Sequence, residues 1–121
     1  MITNETLMKF GLTKDVDNLK LKEVLKHDFK LNEIHIDVYL DNPLISSTNP
    51  FMLLLRTIEN NVIVDNDNER LILKRNDMYQ TYLLNILFST LTECYYKKSS
   101  ECCSEFILNV QNIYYRVIVF N

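Results

Sequence analysis

His35 is the first residue with the means to do chemistry. Glu33, His35, Asp37 and Tyr39 fall two apart, and along a strand that spacing turns all four side chains to one face. An imidazole flanked by carboxylates can bind a metal, or act as a base steadied by an acid. A metal site needs a third ligand and usually a fourth, and His27 is the other histidine of the chain. The same pattern also describes a solvated strand face. Three cysteines follow: Cys94, and the adjacent pair Cys102 and Cys103. None forms a Cys-x-x-Cys pair, neighbouring cysteines rarely chelate one zinc together, and a reactive thiolate needs a stabilising neighbour. An enzyme or metal protein built from this chain would centre on His35, Asp37 and Cys102. The tyrosine pairs Tyr95–Tyr96 and Tyr114–Tyr115 could stack on single-stranded nucleic acid, but the nearby cations are only Lys97, Lys98 and Arg116. Core or protein-contact roles suit these tyrosines better.

Acidic residues cluster at Asp65, Asp67 and Glu69, with asparagines between them. The run resembles a calcium loop but lacks the sixth-position glycine and the distant glutamate, so a β-turn is the plainer reading. With Gly11 as its single glycine, the chain cannot write a phosphate-cradling loop or a nucleophile elbow. No catalytic residue, metal or cofactor is assigned from the sequence.

These residues are carried by elements legible in the pattern. Residues 3–10 read as a short helix, capped by Thr3 or Asn4 and stopped by Gly11. From residue 19 to residue 40 apolar residues alternate with polar ones (Leu19, Leu21, then Phe29, Leu31, then Ile34, Ile36, Val38, Leu40), the period of half-buried strands. Residues 41–50 hold both prolines and read as a long loop. Phe51–Ile58 is a dense apolar run that reads as an interior strand. Glu59-Asn60-Asn61 would turn it, Val62–Val64 would continue, Asp65–Asn68 would turn again, and Leu71–Leu73 would follow as a strand. Residues 77–97 predict a long amphipathic helix. Asp77 and Gln80 fit a capping box, Leu83, Leu84, Leu87, Leu91 and Cys94 form a stripe, and Lys97–Lys98 suit its C-terminal end. Residues 104–120 read as a hairpin turning at Gln111-Asn112. The expected architecture is a single domain over 1–121 of the α+β class: a largely antiparallel sheet, a short N-terminal helix, the helix 77–97 packed on the sheet, and the C-terminal hairpin.

Composition narrows the function classes. A net charge of −3 argues against general affinity for nucleic-acid backbones. No run approaches the roughly 18 apolar residues of a membrane span, and the first residues lack the apolar core of a secretory signal. An odd number of cysteines reads as reduced and intracellular, hence an expectation of host-cell cytoplasm. The chain has no alanine, yet 14 asparagines and 11 isoleucines. No folding rule removes the best helix former, so the bias reads as that of an AT-rich genome.

The opening Thr3-Asn4-Glu5-Thr6-Leu7-Met8-Lys9-Phe10-Gly11-Leu12 resembles the start of short uncharacterised phage and mobile-element proteins of AT-rich bacteria. In those, a brief helix precedes a run of strands; the likeness covers about a dozen residues and carries over no functional residue. The expectation is a non-enzymatic module that binds a host or viral protein, for example as an inhibitor of a defence or regulatory factor. Asp41, Asp65, Asp67 and Glu69 are its expected contact patch. Two alternatives stand beside it. One is an assembly protein that forms a homo-oligomer through strand Ile113–Phe120 or Phe51–Ile58, should either lie at a sheet edge. The other is an immune-evasion protein of a large DNA virus.

Overall fold

Strand-forming side chains dominate the structure, a computed structural model that describes residues 3–40, Pro43 and 53–120. The chain is mostly antiparallel sheet. Its strands are β1 (Thr13–Lys14), β2 (Lys30–Tyr39), β3 (Leu53–Val64), β4 (Arg70–Arg75), β5 (Tyr82–Leu87), β6 (Leu91–Ser100), β7 (Cys103–Val110) and β8 (Ile113–Phe120). They make one sheet in the order β1-β6-β7-β8-β2-β3-β4-β5. Two meanders, β2 to β5 and β6 to β8, are joined where β8 pairs with β2.

The sheet curls on itself. Leu84 and Ile86 of β5 share one buried cluster with Cys94 of β6 and Phe106 of β7, although β5 lies at one end of the hydrogen-bonded order and β6 near the other. Helix α2 (Leu19–Val24) adds Leu21 to this interior, and Leu25 just beyond it is equally buried. Asp15 caps the start of α2, where its carboxylate accepts Lys20 N–H and Leu21 N–H, both at 2.8 Å. A smaller cluster covers the other face of the sheet: Leu7 and Phe10 of α1 (Asn4–Phe10) pack with Leu12 on Tyr95, Ile107 and Tyr114. Thr3 caps α1 and Gly11 closes it at φ 69°. No helix among the described residues is long and apolar enough to cross a membrane.

Three expectations are corrected. The long helix 77–97, and the α+β class that rested on it, give way to β5, a 3₁₀ turn (Phe88–Thr90) and β6. Its leucine stripe came from two strands out of phase: Leu84 and Ile86 face the core before the turn, Cys94 after it. Tyr79, Thr81, Tyr82, Ile86, Phe88, Thr90, Thr92, Tyr95 and Tyr96 are all strand formers, and no alanine offsets them. Asp77 does accept N–H groups, from Tyr79 and Gln80, but it caps a turn rather than a helix. The alternation at Leu19 and Leu21 belongs to α2, where Leu21 is buried and Leu19 exposed.

The turn expected at Glu59-Asn60-Asn61 is instead a bend inside β3. Asn61 sits at φ 54° and is skipped in the pairing between Leu31↔Val62 and Glu33↔Asn60. Asn32 drops out of the ladder with it and the register is unchanged, so the alternation changes phase on both strands: Leu31, Val62 and Val64 face the core before the bend, and beyond it Glu59, Thr57 and Leu55 pair with Ile34, Ile36 and Val38. The hairpin over 104–120 is formed by β7 and β8, with Gln111 at φ 51° and Asn112 at φ 69°. Positive φ at both central residues is what a type I′ turn needs.

Candidate functional site

Beyond the bend at Asn61, half of β3 has no second neighbour among the described residues. Val62–Val64 pair with β4, but Leu53–Asn60 pair only with β2 among the described residues. Leu54, Leu55 and Ile58 on this half are each more than half exposed, as is Tyr82 at the start of β5. Burial of such side chains is worth roughly 1.5–3 kcal/mol apiece, a gain this half of the strand forgoes. Leu54 and Leu55 line a cavity of about 420 Å³ together with Ile36, Val38, Thr57, Leu83, Leu84, Asn85 and Tyr115, whereas Ile58 lies across from His35 on the other face of the sheet. An open strand edge thus borders an apolar groove.

The charges around this edge are already paired. Asp37, opposite Arg56 on β2, takes its guanidinium at 3.0 and 3.3 Å and also accepts the Tyr39 hydroxyl. Glu59 holds Arg75 through a forked pair, one arm of it 3.2 Å long. Among the described residues the edge is therefore largely apolar, its charges are paired, and its backbone has no strand neighbour on the side away from β2.

His35 and Asp37 do share the outer face of β2 with Glu33, as their spacing requires. His35 Nε2 lies 3.1 Å from Glu33 Oε2 without hydrogen-bond alignment, and its ring packs on Phe120 at 4.9 Å. Phe120 of β8 pairs with Glu33 on one side and with Cys103 of β7 on the other, so β8 lies between β2 and the strand that follows Cys102. No group of three or more metal-ligating side chains occurs among the described residues. Cys94 is buried, and burial together with the Asp15 carboxylate pushes its thiol far above the ordinary value. Cys102 is exposed in the β6–β7 turn, while burial raises the Cys103 thiol. Tyr95 is pushed up to about 12, first by burial and then by Glu93.

The acidic turn has internal duties. Asp65 binds Lys74 at 2.6 Å, and that hydrogen bond, more than its charge, holds the carboxyl below the usual range. Asp67 accepts Glu69 N–H and Arg70 N–H at 2.8 Å and so folds the turn. Asn66 ties the turn to Leu25 and Ile72. Asp67 also lines a second depression of about 390 Å³ with Lys22, His27 and Phe88. Asp41 lies outside the described residues. Of the two strands proposed for self-association, Ile113–Phe120 is paired on both sides; the described part of Phe51–Ile58 carries the open edge. Sequence reading missed the groove because its lining comes from β2, β3, β5 and β8; the density of apolar residues at 53–58 was its one visible signal. Compared with known proteins, the chain matches no family profile, no curated protein and no solved structure.

Proposed function

We propose that this chain is a non-enzymatic protein-binding module that takes an extended polypeptide segment along the open edge of β3. One observation carries the reading: among the described residues, Leu53–Asn60 have no strand partner opposite β2, and an apolar groove adjoins them. In strand addition the backbone edge supplies affinity and the flanking cavity accepts alternate side chains. The finer reading is that the partner is a host defence or regulatory protein, blocked by a protein of phage or mobile-element origin. Its support is the AT-rich residue bias and the resemblance of residues 3–12.

Selection of displayed random peptides on the immobilised protein tests the reading. Peptides with alternating apolar residues are expected to bind, and Leu55→Asp is expected to weaken them at least tenfold, about 1.4 kcal/mol. Amides of residues 54–60 should gain protection from hydrogen exchange in the complex. Peptides that bind equally well to Leu55→Asp, or protect a different strand, would remove β3 as the site.

A further inference from the structure

Independently of the β3 edge, we propose that the hollow of about 390 Å³ between α2 and the β3–β4 turn binds a small zwitterion, a free apolar α-amino acid whose carboxylate meets Lys22 and whose ammonium meets Asp67.

Four separate stretches of chain build this hollow. Helix α2 brings Lys22, its exit brings Leu25 and His27, the β3–β4 turn brings Asn66 and Asp67, and the 3₁₀ turn after β5 brings Phe88. Small-ligand sites take this form, a concavity with a few fixed polar groups, and about 390 Å³ lies at the small end of their range.

The polar groups are held before any ligand arrives. Asn66 commits both ends of its amide, donating to Leu25 C=O at 2.7 Å and accepting Ile72 N–H at 2.8 Å. That ties the turn to the end of α2. Asp67 Oδ1 accepts Glu69 N–H and Arg70 N–H, which fixes the carboxylate, while Oδ2 has no partner among the described residues. Lys22 Nζ stands 4.8 Å from the centre of the Phe88 ring. The ring steadies the ammonium, but it does not satisfy three hydrogen-bond donors as carboxylate oxygens do.

Charge selects the ligand class. Lys22 and Asp67 line one hollow, yet among the described residues neither makes an ion pair with the other or with any other side chain. His27, which also lines the hollow, is engaged by other groups: its nitrogens lie 3.3 Å from Asp28 and 3.8 Å from Asp65. Asp65 in turn holds Lys74. A simple anion such as phosphate would meet the Asp67 carboxylate, and a simple cation would meet the Lys22 ammonium. A zwitterion satisfies both, and the half-buried Phe88 ring gives its side chain an apolar contact.

Nuclear magnetic resonance of the full chain, titrated with free L-leucine and L-phenylalanine to millimolar concentration, tests the proposal. Amide signals of Lys22, Leu25, residues 66–68 and Phe88 are expected to shift and to saturate. N-acetyl-L-leucine lacks the ammonium and L-leucinamide lacks the carboxylate. Each should bind roughly tenfold or more weakly, the loss expected when a hydrogen bond to a charged group goes. Lys22→Gln should no longer distinguish leucine from leucinamide, and Asp67→Asn should no longer distinguish leucine from N-acetyl-leucine. Both side chains are exposed, circular dichroism checks folding, and the two analogues make the same comparison on the native chain. No saturable shift at these residues overturns the proposal. So does an analogue that binds as tightly as leucine, or inorganic phosphate that binds the hollow in preference to it.

Discussion

At the scale of single residues, carboxylates do more positioning than chemistry. Asp15 is buried and serves three groups: two N–H donors of α2 and the Cys94 thiol at 3.6 Å. Asp15→Ala strips the start of α2, and a cap of this kind is worth about 1–2 kcal/mol. Urea unfolding should show a fall of that size; an unchanged midpoint would mean α2 does not depend on this carboxylate. Asp65 gives a pH signature. Its folded value lies below the unfolded one of about 3.9, so its contribution is complete above that pH and is lost as pH falls toward the folded value. Stability measured from pH 7 down to pH 3 should therefore drop less in Asp65→Asn than in the native chain, and equal slopes would sink the claim. Glu33 and His35 were legible as neighbours because period-two spacing is a local property. The place of Cys102 relative to them was not, since it sits exposed between β6 and β7, and the pairing of strands distant in sequence decides where that turn lies.

Elements were legible where they are self-contained. Helix α1 carries both of its end signals in sequence, Thr3 and Gly11, and the β7–β8 turn announces itself through Gln111-Asn112. The helix expected over 77–97 misled because periodicity assumes one unbroken element, and the 3₁₀ turn at Phe88–Thr90 resets the phase between two strands. The groove was hidden for a different reason: curling of the sheet is a collective property of eight strands. The bend at Asn61 separates local propensity from context. Valine is the better strand former, yet at φ 54° its branched side chain meets the left-handed penalty. Asn61→Val is expected to destabilise by about 1–2 kcal/mol, whereas Asn61→Gly should be near neutral. Thermal unfolding of the two variants checks this, and stabilisation by valine would show that β3 is not bent there in solution.

Across the whole molecule, the interior depends on pairs distant in sequence. Phe106, fully buried where β5, β6 and β7 converge, should cost about 3–5 kcal/mol as Phe106→Ala, enough to remove much of a small domain's stability. A loss under 1 kcal/mol on chemical unfolding would contradict the packed, curled interior. The position of β8 has a consequence of another kind. It is the last strand described, yet it lies in the middle of the sheet, gripped by β7 on one side and β2 on the other. Before β8 is made, the meander β2 to β5 and the hairpin β6–β7 have no shared ladder. A growing chain must therefore wait, with Leu31, Ile34, Phe106 and Leu108 lacking the Val117 and Val119 that complete their cluster. Synthesis at roughly 5–20 residues per second makes the stretch from Val110 to Phe120 a wait of about 0.5–2 seconds. During it the apolar edges of both halves are bare, so the time of greatest exposure to aggregation and proteolysis falls just before the final strand arrives.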